Sequence, residues 1–248
     1  MFSAFPWSQP PDRPMVETNA IQVWRTKLDC EPAAGQPWET WLAPDEKARA
    51  ARFVFSRDRR RFIAARGILR AILGQYLQRH PADIEFTYGT NGKPALRSNR
   101  WQSMIHFNLS HSHGLAVYAV ADGREVGIDV EAVRPGTADN GVIDLAFTER
   151  EVAELHALPL HLRDEAFALG WTRKEAYIKA RGMGMAFPLE SVEVSLSPGQ
   201  PEVLHTADTS RWSLRSFRPA PGFVGAVVGE GRNWELRLWN YGDLKPLS

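Results

Sequence analysis

Apolar and polar residues alternate through Gly127–Glu131, GIDVE, so a strand there puts Ile128 and Val130 on one face and Asp129 and Glu131 on the other. Leu115–Val120 upstream is an apolar strand candidate, and Asp122-Gly123 between the two is a turn signal. Ile105–Leu109 alternates the same way, with Ile105, Phe107 and Leu109 opposite His106 and Asn108. Ile21–Leu28 predicts a first strand. Val192–Leu196, Trp212–Ser216, Phe223–Val228 and Trp234–Leu238 predict short strands towards the C-terminus.

The other pattern is helical. Phe62, Ile63, Leu69, Ile72, Leu73 and Leu77 follow the helical period and predict a long helix from about Arg57 to Leu77. Pro44-Asp45-Glu46 opens a shorter helix with acid in its first turn, the favourable end for negative charge. Glu149–Leu158 and Leu162–Ala180 predict two more helices, after a loop over Pro135–Gly141. Asn91-Gly92-Lys93-Pro94 is a turn, and residues 1–20 read as an extended lead-in. FIAARG (Phe62–Gly67) echoes YIKARG (Tyr177–Gly182), which predicts two similar halves, 1–126 and 127–248.

Composition narrows the class. At 248 residues, 44% hydrophobic and 24% charged, the chain is an ordinary globular protein with room for a sizeable core. No apolar run is long enough to cross a bilayer, and the start lacks the basic and apolar segments of a signal peptide. Cys30 is the only cysteine, which excludes an internal disulfide or a multi-cysteine zinc site and fits the cytoplasm. The net charge of +1 hides an asymmetry: residues 1–126 hold 17 Lys/Arg against 12 Asp/Glu, and the remainder is acidic. An anionic ligand on one side and a cation on the other would account for it.

Four stretches could carry chemistry. Asp129 and Glu131 lie only about 7 Å apart on one strand face, where like charges repel. Either water solvates them or a hard divalent ion such as Mg²⁺ sits between them. In WTRKEAYIKARG (Trp171–Gly182), Glu175 and Lys179 share a helix face. They form a surface ion pair, or a metal ligand or base beside a phosphate-binding lysine. NLSHSHG (Asn108–Gly114) offers turn chemistry, or a polar loop that holds an anion. Ser110 and His111 are adjacent and point apart, so they are a poor nucleophile–base pair. Finally, Lys47 to Arg70 carries nine cations against Asp58 alone. No nucleic-acid-binding motif accompanies them, and a compact phosphorylated ligand fits better.

GIDVE, WTRKEAYIKARG, NGKPAL and FNLSHS occur in the order and rough spacing of the 4′-phosphopantetheinyl transferases of the surfactin-synthetase-activating type. The chain resembles that family from about Pro44 to Leu189. The resemblance implies an α+β (mixed α/β) fold of two pseudo-symmetric halves, each a small, mostly antiparallel sheet packed on a long helix. The first half would be nucleotide-binding and the second catalytic, with coenzyme A between them. It implies transfer of phosphopantetheine from coenzyme A to a serine of an apo acyl or peptidyl carrier protein, releasing adenosine 3′,5′-bisphosphate. By motif position, Asp129, Glu131 and Glu175 would bind Mg²⁺. Glu175 would also be the base, and Lys179 would contact the pyrophosphate. Lys174 would sit near the ligand, and Glu151 would match an acid near the metal. Lys93 and Pro94 match the segment along the adenine. Ser110 and His111 match holders of the 3′-phosphate, and Arg49 and Arg61 match basic positions facing the phosphates. Glu46 stands where the family is basic, so Lys47 or Arg52 would compensate. The resemblance also implies a monomer; the missing nucleic-acid motif and apolar run predict no nucleic-acid or membrane partner.

Two other readings are compatible with the sequence. A metal-dependent nucleotide or coenzyme A hydrolase would use the same carboxylates. A non-catalytic carrier-binding module would leave them without a purpose.

Overall fold

A computed structural model describes residues 6–30, 37–97, 104–138, 140–184, 187–197, 202–208 and 211–243. Residues 1–5 of the expected lead-in lie outside these. The first half runs β1 (Ala20–Lys27), α1 (Trp38–Trp41), α2 (Pro44–Ala50), α3 (Ser56–Leu77), β2 (Phe86–Tyr88), β3 (Pro94–Leu96), β4 (Ile105–Ser112) and β5 (Leu115–Asp122). The second runs β6 (Val126–Ala132), α4 (Asn140–Ala146), α5 (Glu149–Ala157), α6 (Leu160–Arg181), β7 (Glu193–Val194), β8 (Leu204–His205), β9 (Trp212–Phe217), β10 (Phe223–Glu230) and β11 (Glu235–Asn240).

The two halves repeat one plan. A strand leads to a 22-residue helix, then a small two-stranded ribbon, then two strands that return to the first. Within each half the strands are ordered β1-β5-β4 and β6-β10-β9, with antiparallel neighbours. The FIAARG–YIKARG echo does not reflect this symmetry. The first lies in the middle of α3, whereas the second runs off the end of α6 into Gly182.

Among the described residues, three large cores hold the layers together. One face of the first sheet, with Trp24, Tyr118 and Val120, packs on Ile68, Leu69 and Ile72 of α3. One face of the second, with Ala226 and Val228, packs on Ala176, Tyr177 and Ala180 of α6. The opposite faces meet in a shared core, where Val23, Val117 and Ala119 face Ile128, Val130 and Val227. The period-two alternation of the strands makes this possible, because residues facing α3 or α6 alternate with residues facing the shared core.

The structure departs from the expected elements in four places. β11 pairs in parallel with β1, so the C-terminal strand completes the first half's sheet instead of the second's. The Asp122-Gly123 turn forms, with Gly123 at φ +60°, but it carries the chain from one sheet to the other. The expected loop Pro135–Gly141 ends earlier than the sequence pattern suggests, because α4 begins at Asn140. NLSHSHG is strand rather than loop as far as Ser112. His113 and Gly114 then form a two-residue turn with φ +47° and +81°, since Ser112 pairs with Leu115.

Candidate active site

β6 presses its polar face against α6. A Cβ on Gly127 would lie 2.1 Å from the Ala176 carbonyl and 2.2 Å from the Ala180 nitrogen. Only glycine permits so close an approach. The approach brings Asp129 of β6 to Lys179 of α6. Lys179 Nζ donates to Asp129 Oδ1 at 2.6 Å, and Ser110 Oγ of β4 donates to the same oxygen at 2.7 Å. Asp129 is 3% exposed, and its second oxygen, Oδ2, is buried without a hydrogen-bond partner. A buried carboxylate oxygen in that state is costly and is suited to an added cation.

Glu131 is half-buried and accepts from Ser112 Oγ at 2.8 Å. Burial raises its pKa, and Asp129 raises it further against the Ser112 hydrogen bond. Burial also raises the pKa of Glu175, with Asp129 and Glu131 adding to it. The three carboxylates therefore share one electrostatic neighbourhood. They do not close on a single point, however: among the described residues no three acidic, histidine or cysteine groups form a ready ligand set. Three like charges repel, and in this structure the cation on Asp129 is the Lys179 ammonium. Oxygen donors of this kind suit Mg²⁺.

Two adjoining cavities lie between the β2–β3 ribbon, β4 and the end of α6. One, of about 610 Å³, is lined by Lys93, Pro94, His106, Glu125, Arg181 and Arg211 among others. The other, of about 230 Å³, is lined by Lys93, Asn108, Glu175 and Lys179 among others. Lys93 stands between them. Its ammonium donates to Glu125 Oε2 at 2.9 Å, the Ala180 carbonyl at 3.0 Å and the Val126 carbonyl at 3.3 Å, pinning the ribbon to α6. His106 lies 3.2 Å from Glu125 Oε1, and that contact is the largest cause holding the Glu125 pKa down to about 2. His111, expected beside the 3′-phosphate, lines neither cavity. Partial burial and the Lys179 and Arg61 charges hold its pKa down.

Several expected site residues have other work. Lys174 is 1% exposed, and its three protons go to Glu151 Oε2 at 2.5 Å and the carbonyls of Ala146 and Leu189. Glu151 is equally buried. It caps α5 through Thr148 N and accepts from Val194 N. This pair braces α4, α5 and β7 against α6 and is not part of the carboxylate cluster. Ser110 is buried on Asp129, on the opposite strand face from His111, so the two do not present one phosphate site.

The basic stretch is also less free than its sequence suggests. Glu46, one residue before it, is 2% exposed and accepts from Arg66 Nε at 2.5 Å and Arg70 Nε at 2.7 Å. It also caps α2 through Ala43 N. Glu46 therefore sits in the interior rather than in a pocket wall. Arg61 forms a two-pronged pair with Asp29, at 2.7 and 2.5 Å, and Arg59 pairs with Glu39. Lys47, Arg49 and Arg52 are exposed, and Arg49 lies over the Phe62 ring. Residues that sequence reasoning missed include Asn108, Ser112, His106 and Glu125. The alternation of β4, continued through Ser112, was the available signal for the first two.

Comparison with known proteins identifies the family. Residues 35–122 match the family described as 4′-phosphopantetheinyl transferase, N-terminal, and residues 125–228 match the 4′-phosphopantetheinyl transferase superfamily. The chain is 40% identical to 4′-phosphopantetheinyl transferase HetI of Nostoc sp., over 95% of its own length and 98% of the relative's. It is 27% identical to 4′-phosphopantetheinyl transferase Sfp of Bacillus subtilis, over 76% of its length and 82% of that protein's. A holo-(acyl-carrier-protein) synthase from Bacillus anthracis, solved in complex with CoA (3′,5′-ADP), aligns with 44% of this chain and 96% of its own. The TM-score is 0.38 at 25% identity. The chain belongs to the 4′-phosphopantetheinyl transferase superfamily.

Proposed function

We propose that the protein transfers 4′-phosphopantetheine from coenzyme A to a serine hydroxyl of an apo acyl or peptidyl carrier protein, in the manner of the surfactin-synthetase-activating type. The carrying observation is the partnerless Oδ2 of Asp129, whose other oxygen holds Lys179 and whose charge reaches Glu131 and Glu175. Asp129, Glu131 and Glu175 would hold Mg²⁺. When bound, the ion would neutralise the pyrophosphate and polarise its oxygens.

The chain's own groups do the rest. Lys179 leaves Asp129 for the pyrophosphate and stabilises the departing phosphate. Glu175 accepts the serine proton, directly or through one water, and burial makes it a stronger base than an exposed glutamate. The serine oxygen bonds to the β-phosphorus as the bond to the leaving phosphate breaks, releasing adenosine 3′,5′-bisphosphate. Lys93, with its ammonium engaged, offers its stem alongside Pro94 to the adenine. Arg49, Arg61 and His111, with Lys47 and Arg52 nearby, face the nucleotide phosphates. Arg61 must exchange Asp29 for phosphate. The enzyme acts as a cytoplasmic monomer, and no helix among the described residues is long and apolar enough to cross a membrane.

Glu175→Gln tests the base. Carrier labelling should fall by about 100-fold or more with coenzyme A still bound. Labelling at the wild-type rate would overturn the role. Turnover of coenzyme A without an acceptor would favour the hydrolase instead.

A further inference from the structure

β4 and β6 belong to different sheets and share no backbone ladder. Side chains join them instead. Asn108, Ser110 and Ser112 occupy alternate positions of β4, and all three reach β6. Asn108 Oδ1 accepts from Ile128 N at 3.0 Å, Ser110 Oγ donates to Asp129, and Ser112 Oγ donates to Glu131 Oε2 at 2.8 Å. The first half thus grips the two strand carboxylates of the second.

Ser112 makes the simplest of these grips. It is 7% exposed, and among the described residues its hydroxyl has three partners. A serine hydroxyl has one proton, and a carboxylate only accepts, so the proton is directed at Glu131. The Ala132 amide at 3.4 Å and the His113 ring at 2.9 Å approach the lone pairs. His113 sits at φ +47°, an uncommon conformation for a non-glycine residue, and this turn places its ring against Ser112. The hydroxyl is therefore held on three sides and keeps Glu131 in one orientation. Ser110, by contrast, also touches Lys179 at 3.2 Å, so its effects would mix with those of the lysine.

We propose that Ser112 is a positioning residue that fixes the Glu131 carboxylate for binding a divalent cation. The proposal rests on the transferase reading. Hydrogen-bond partners of metal ligands typically change metal affinity by about 10–100-fold when removed. The test is calorimetric titration of Mn²⁺ into the coenzyme A-saturated enzyme, alongside carrier labelling and metal-free melting. Ser112→Ala should weaken Mn²⁺ binding by about 10-fold while the metal-free protein stays folded, and Ser112→Thr should restore it. In a Glu131→Gln background, Ser112→Ala should add little. Wild-type Mn²⁺ affinity in Ser112→Ala, or an equal loss with and without Glu131, would overturn this inference alone if the wild type labels carrier. A wild type that neither binds Mn²⁺ nor labels carrier would overturn both readings.

Discussion

Gly127 decides whether the site can assemble. Its missing side chain lets the strand bearing Asp129 lie directly on the helix bearing Glu175 and Lys179. Gly127→Ala would drive a methyl into the Ala176 carbonyl and the Ala180 nitrogen, which are backbone atoms that no rotamer change can move. We expect destabilisation of about 2–3 kcal/mol, read as a lower urea midpoint, together with loss of labelling. A stable, active variant would mean that β6 and α6 can separate without cost to the site. GIDVE made the polar face legible, because alternation alone places Asp129 and Glu131 together. It could not show that Ser110 and Lys179 both reach Asp129 Oδ1 and leave Oδ2 without a partner, since those contacts come from two other elements.

Buried ion pairs join the elements, and here charge read from sequence was least reliable. Glu46 looked like a departure in a phosphate site, yet it neutralises Arg66 and Arg70 inside the first half, whose guanidinium groups lie 4.7 and 5.0 Å from the Phe86 ring centroid. Glu46→Lys would place a third cation there and should cost about 3–5 kcal/mol in chemical denaturation. An unchanged midpoint would contradict the interior role. Lys174 looked like a ligand residue and instead balances Glu151. Lys174→Met alone should cost about 3–5 kcal/mol, because it strands a buried carboxylate, whereas Lys174→Met with Glu151→Leu should recover much of that loss. Equal losses in the single and double variants would show that the pair is not the source. A sequence gives the sign of a charge, but the partner is set by tertiary packing.

The β2–β3 ribbon is tied down by Lys93, Glu125 and His106, and this tie predicts a pH effect. The Glu125 pKa lies near 2 when folded against an ordinary 4.5, so its contribution is present above about pH 4.5 and fades as pH falls towards 2. Glu125→Gln should therefore be less stable than wild type at neutral pH, and the gap should narrow across that acid range. A gap that widens on acidification would contradict the assigned pairing.

Across the whole molecule, two copies of one strand–helix–sheet plan meet face to face, and Glu175 lines a cavity beside their join. The long helices and most strands follow from periodicity. The parallel pairing of β11 with β1 does not, because it joins opposite ends of the chain and nothing local marks it. The second half supplies Asp129, Glu131 and Glu175 together with Lys179, and Lys93 reaches across from the first half to the Ala180 carbonyl. The most direct test of the central claim is intact-mass measurement of a panel of apo carrier proteins after incubation with coenzyme A, Mg²⁺ and enzyme. Phosphopantetheinyl transfer predicts gain of one phosphopantetheine on the acceptor serine of at least one carrier, abolished by Asp129→Ala in a folded variant. Equal mass gain with wild type and Asp129→Ala, or no gain on any carrier, would contradict it.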